Sequence, residues 1–113
     1  MATVTTFERA LGYATIAGTT LYTVPAGSTI TVIGYAFNNV TAAARVINFK
    51  IVNSTFPTGV ELIPSDLPLP SGSGFAPIEV GKIVAKAGDQ LVVYCDEDNG
   101  ASAFVSFMLQ VEQ

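Results

Sequence analysis

Histidine and tryptophan are absent from this chain of 113 residues, and cysteine occurs once. Without histidine the commonest general base and the commonest zinc ligand are missing, along with Ser-His and Cys-His nucleophile pairs. One cysteine makes no internal disulfide and gives no sign of an oxidising destination. Cys95 lies in the strand-like run Leu91-Val92-Val93-Tyr94-Cys95 and reads as a small core residue. A phosphate loop is missing too: Pro70-Ser71-Gly72-Ser73-Gly74-Phe75 lacks the Lys-Ser/Thr pair and a following helix. Two carboxylates can hydrolyse a glycoside, but among nine acidic residues some pair is inevitable and carries no signal. No catalytic residue and no cofactor is expected.

Charge is also scarce. Charged residues make up 12% of the chain, against about 25% in an ordinary soluble domain. Half the residues are hydrophobic. A small fold has much surface to cover, and five basic and nine acidic side chains leave most of it to other groups. Much of the exterior is therefore expected to be covered in the working state, by sister subunits or by a larger particle. A monomer surfaced with Thr, Ser, Asn and Gly is the competing reading. Arg9, Arg45, Lys50, Lys82 and Lys86 are scattered and the net charge is −4, which argues against nucleic acid as partner. No segment has the 18 or so consecutive apolar residues of a membrane span. Glu8 and Arg9 interrupt what a signal peptide needs, so the expectation is a protein made and used without secretion.

What is present is strand after strand. Thr29 to Asn39 is rich in β-branched and aromatic residues and ends in an Asn-Asn turn signal. Arg45 to Asn53 alternates, with Ile47, Phe49 and Ile51 on one face and Asn48 and Lys50 on the other. Ser102 to Glu112 does the same, with Val105, Phe107, Leu109 and Val111 opposite Ser106, Gln110 and Glu112. Helix signals are almost absent; Thr41 to Arg45 has room for one short turn. Residues 53–77 hold five of the six prolines, so loops and edge strands are expected there, around Val60 to Ile63 among others.

The segment Leu21 to Val32 echoes Lys82 to Val93: a short strand, an Ala-Gly turn, then a longer apolar strand. Two such units suggest an all-β fold, a two-sheet antiparallel β-sandwich with jelly-roll or Greek-key-like connections. Residues 19–113 form this single domain. Residues 1–18 are expected as an N-terminal arm or edge strand able to add to a neighbour's sheet, or else as a frayed end. Asp96-Glu97-Asp98-Asn99-Gly100 is the one dense polar cluster. Asp96 and Asp98 are weak candidates for a calcium site, but the spacing does not fit the helix-flanked calcium loop. A solvated hairpin tip turning at Asn99-Gly100 fits better. The aromatic residues, Tyr13, Tyr22 and Phe37 among them, have no basic neighbours for base stacking and are assigned to core and interface packing.

At Leu21 to Asn39, LYTVPAGSTITVIGYAFNN, the sequence resembles small structural proteins of tailed-bacteriophage particles. Ala87-Gly88-Asp89 followed by LVVY, and the closing apolar strand, are similar too. Taken together the chain looks most like a capsid decoration (cement) protein. That resemblance implies a β-sandwich, commonly trimeric, on the outer surface of the virion capsid, made in the host cytoplasm. Its partners would be the major capsid protein and sister subunits, with no nucleic acid and no membrane. A tail, neck or fibre subunit, or a glycan- or receptor-binding module, is the alternative. The arm and the 53–77 loop are expected to make the contacts, through Thr3, Val4, Phe7, Phe56, Leu67, Leu69 and Phe75.

Overall fold

The computed structural model describes residues 3–77 and 83–112. Lys82, where the second echo begins, and the first two residues of the expected arm lie outside them. Among the described residues there are ten strands and no helix: β1 (Thr3–Ala14), β2 (Thr19–Thr23), β3 (Ser28–Asn39), β4 (Arg45–Val52), β5 (Val60–Glu61), β6 (Leu67–Leu69), β7 (Gly74–Phe75), β8 (Ile83–Lys86), β9 (Gln90–Cys95) and β10 (Ala101–Glu112).

The strands form two antiparallel sheets packed as a sandwich. One runs β1-β10-β3, with β7 and β8 both on the far edge of β3. The other runs β2-β9-β4, with β5 and β6 on the far edge of β4. The chain changes sheet at β1–β2, β2–β3, β3–β4, β6–β7, β8–β9 and β9–β10. That alternation, with the last strand between the first and third, is jelly-roll winding. The sandwich expected from the two echoed units is the fold observed.

The period-two pattern explains the packing. Ile47 and Phe49 of β4 and Val105 and Phe107 of β10 are fully buried, and Ile51 and Leu109 pack beside them. Between the sheets Phe37 meets Phe49 edge-on, with ring centroids 5.3 Å apart. Tyr35 lies 5.3 Å from Phe49 and 5.5 Å from Phe37. Each buried ring contributes about 1.5–3 kcal/mol by leaving water. β3 carries one extra residue against β10: Phe107 faces Val32 and Ser106 faces Gly34, so the intervening Ile33 bulges out to solvent.

The two echoed turns meet in space. Gly27 (φ 74°) reverses the chain from β2 to β3, and Gly88 (φ 91°) from β8 to β9. Left-handed φ favours glycine at both places. The Val24 amide donates to the Asp89 carbonyl at 2.9 Å, and the Gly88 amide donates to Val24 O at 3.0 Å. With β2 pairing β9 and β3 pairing β8, the two units interlock.

The 53–77 segment holds the loops and edge strands expected of it: β5 and β6 pair with the far edge of β4 and β7 with that of β3, while Ile63 and Leu69 reach into the core. One expectation needs correcting. The Asn99-Gly100 turn is no hairpin tip, since β9 and β10 belong to different sheets. Asn99 does adopt a left-handed φ of 59° there, and its amide donates to Ala14 O at 2.9 Å.

Candidate interaction surface

The acidic cluster spends its oxygens on the fold. Asp98 Oδ1 accepts the Ile16 amide at 2.9 Å, and Asp96 Oδ1 accepts the Val46 amide at 3.3 Å. Arg45 pairs with both Asp96 and Glu97. Among the described residues no group of three or more His, Cys, Asp or Glu is arranged to hold a metal. Cys95 is buried beneath this turn, and that burial raises its thiol pKa and keeps it in the unreactive protonated form.

The outer face of the β1-β10-β3 sheet is different in kind. Here apolar side chains occupy positions that period-two alternation assigns to solvent. One cross-strand row reads Leu11, Phe104, Ala36; another reads Phe7, Met108, Thr31, Val84. Phe7 is 74% exposed, Leu11 60% and Tyr13 55%. Between those rows Arg9, Ser106 and Gly34 stand in register, so Arg9 is the one charge at the centre of the face. A shallow groove of about 400 Å³ opens here, lined by Leu11, Tyr13, Ala36 and Phe104 together with the polar Asn38 and Ser102. Large apolar side chains grouped in two rows on one face, parted only by Arg9, Ser106 and Gly34, are a mark of an interaction surface.

The residues expected at contacts separate in the structure. Thr3, Val4 and Phe7 are exposed on β1. Phe56 is half exposed in the turn between β4 and β5, on the other sheet, where its amide donates to Asn53 Oδ1 at 2.8 Å. Leu69 is only 2% exposed and belongs to this subunit's own core, which corrects its assignment to a contact. Leu67 and Phe75 pack partly against the same core, Phe75 lying 6.4 Å from Tyr35. In Leu67-Pro68-Leu69 the leucines turn inward and the proline faces solvent. The sequence reading missed Leu11, Phe104 and Met108. Their signal was available: Phe104 and Met108 break the polar register of Ser102, Ser106 and Gln110.

No known protein family matches the chain, and no curated protein resembles it in sequence. Solved structures do resemble it in shape. A chain of the Bacillus endospore appendages, which are disulfide-linked pili, superposes with a TM-score of 0.54 at 12% identity, over 96% of this chain and 87% of that one. A chain of the capsid of the Helicobacter pylori bacteriophage KHP30 gives 0.48 at 11% identity, over 99% and 98%. The tumour necrosis factor Eiger from S. frugiperda gives 0.38 at 14% identity, over 83% of this chain and 64% of that one. The likeness to the appendage chain is one of fold.

Proposed function

We propose that this chain is a non-enzymatic structural subunit of a tailed-phage particle, binding the assembled capsid surface and stabilising it through contacts between subunits. The observation that carries the reading is the apolar outer face of β1, β10 and β3, with Phe7, Leu11, Tyr13 and Phe104 standing in solvent. Covering such a face is favourable by about 25 cal/mol for each Å² of apolar surface removed from water. A ligand that binds only the assembled shell stabilises that shell by mass action. The scarcity of charge and the resemblance of Leu21 to Asn39 to phage structural proteins point the same way.

Co-sedimentation with phage heads tests it. Saturable binding to assembled heads, with none to unassembled capsid subunits, is the expected result. Failure to bind heads at micromolar concentration would overturn the placement on the shell. A second reading, a glycan-binding module, is favoured by the groove alone. Tyr13 and Phe104 offer apolar faces there, while Asn38 and Ser102 offer hydrogen bonds to a sugar. Glycan binding lost in Tyr13→Ala, with no affinity for heads, would select it.

A further inference from the structure

Resting on the reading of the chain as an assembly subunit, we infer that the free edge of β1 pairs antiparallel with β1 of a second copy, about a two-fold axis at Phe7. Unpaired strand edges are normally blunted by prolines, bulges or brevity. The other sheet margins here have such devices. β2 is five residues long with a register shift between Thr20 and Tyr22. The margins beyond β3 and β4 are broken into β5, β6, β7 and β8, of two to four residues each, among prolines. β1 has none. It runs 12 residues without proline and pairs with β10 without a register shift.

The hydrogen-bond phase shows which backbone groups are unused. The Glu112 amide donates to Gly27 O at 3.1 Å, so Glu112 points toward β3. Backbone direction alternates along a strand, so Val111, Leu109 and Phe107 point toward β1, where they face Val4, Thr6 and Glu8. The neighbouring residues Thr3, Thr5, Phe7, Arg9 and Leu11 therefore aim their N–H and C=O groups away from the sheet. Tyr13 ends the open stretch, because its carbonyl accepts the Thr19 hydroxyl at 2.6 Å.

Phe7 is the midpoint of that stretch. Pairing about it sets Thr3 against Leu11, Thr5 against Arg9, and Phe7 against its own copy, with about ten new backbone hydrogen bonds. Sliding the register one step toward the C-terminus opposes Glu8 to Glu8 and a second step Arg9 to Arg9, while sliding it the other way opposes Thr6 to Thr6 and leaves Leu11 outside the paired stretch. The centred register avoids both and places each Arg9 diagonal to the other copy's Phe7 ring, a cation–π geometry. The two Glu8 residues are left on a diagonal, their backbones about 7–8 Å apart, and their charges are screened by salt. An isologous contact of this kind closes on itself and gives a dimer with a continuous sheet. It also explains why the most exposed large apolar side chain sits mid-strand on an open edge.

The test combines light scattering with two variants. Wild type should be a dimer, and Phe7→Pro, which removes an outward N–H, should dimerise roughly tenfold to a hundredfold more weakly while melting cooperatively. Phe7→Cys should form an intermolecular disulfide on oxidation, since directly paired Cα atoms are about 5.5 Å apart. Wild type, with Cys95 buried, should not cross-link. If Phe7→Pro fails to fold, the cysteine variant decides alone. A monomer, a trimer, or Phe7→Cys that stays uncross-linked would overturn the pairing. A monomer or trimer that still binds heads would leave the proposed function standing.

Discussion

Leu11 and Phe104 stand directly opposite each other across the β1–β10 ladder, and both point away from the core. Such a pair on a wet face contributes little to the subunit's own stability. Leu11→Thr with Phe104→Gln, which removes both apolar side chains without opposing like charges, should leave the melting temperature within a few degrees of wild type. The same double variant should bind phage heads at least tenfold more weakly in co-sedimentation. Equal binding would show that the face is not the contact.

Asn39 is the buried polar residue on which one end of the sandwich turns. Its side-chain amide donates to Ala43 O at 2.8 Å and Leu69 O at 2.9 Å, while its oxygen accepts from the Thr41 amide at 2.8 Å and the Thr41 hydroxyl at 2.7 Å. Asn39→Ala leaves the Leu69 carbonyl buried without that partner. The expected loss is about 2–3 kcal/mol, read as a melting temperature roughly 10 °C lower.

Gly18 and Gly88 separate two effects of a missing side chain. Both have left-handed φ, 98° and 91°. A Cβ at Gly18 would run into the Tyr94 ring, whereas one at Gly88 meets nothing within 4 Å. Gly88→Ala should therefore cost about 1–2 kcal/mol of backbone strain. Gly18→Ala should cost more, and by a margin that shrinks in a Tyr94→Ala background. Chemical denaturation of wild type and the four variants checks the difference.

Two tyrosines should ionise late. Burial raises the Tyr22 pKa above 10.0, with the Glu8 charge adding to it, and burial alone raises that of Tyr35. The folded state thus holds these protons more tightly than the unfolded chain. Their contribution is complete below pH 10 and is lost as pH rises through the folded values. Ultraviolet titration of Tyr22→Phe and Tyr35→Phe should each remove a late-titrating component, and each variant should lose less stability above pH 10 than wild type.

Much of the fold was legible because alternation and turn chemistry are local. The inward positions of β4 and β10 followed from Ile47, Phe49, Val105 and Phe107, and the Ala-Gly turns marked the ends of β2 and β8. What stayed hidden was non-local. A turn at Asn99-Gly100 looks the same whether its strands share a sheet or cross between sheets, and here they cross. Proline density in 53–77 pointed to loops and edge strands, which β5, β6 and β7 are, but it hid that Leu69, one of two leucines alternating around Pro68, belongs to the core. The outward apolar row went unread because Phe104 and Met108 sit inside a strand whose inward residues are apolar as well. A continuous apolar run then masks which face is wet.

The proposed function rests on the claim that the outer face of β1, β10 and β3 is covered in the working assembly. Hydroxyl-radical footprinting of native particles measures this directly, with the isolated subunit as reference. Tyr13, Phe104 and Met108 should be oxidised about tenfold more slowly in the particle. Equal rates in the particle and the free subunit would contradict the claim.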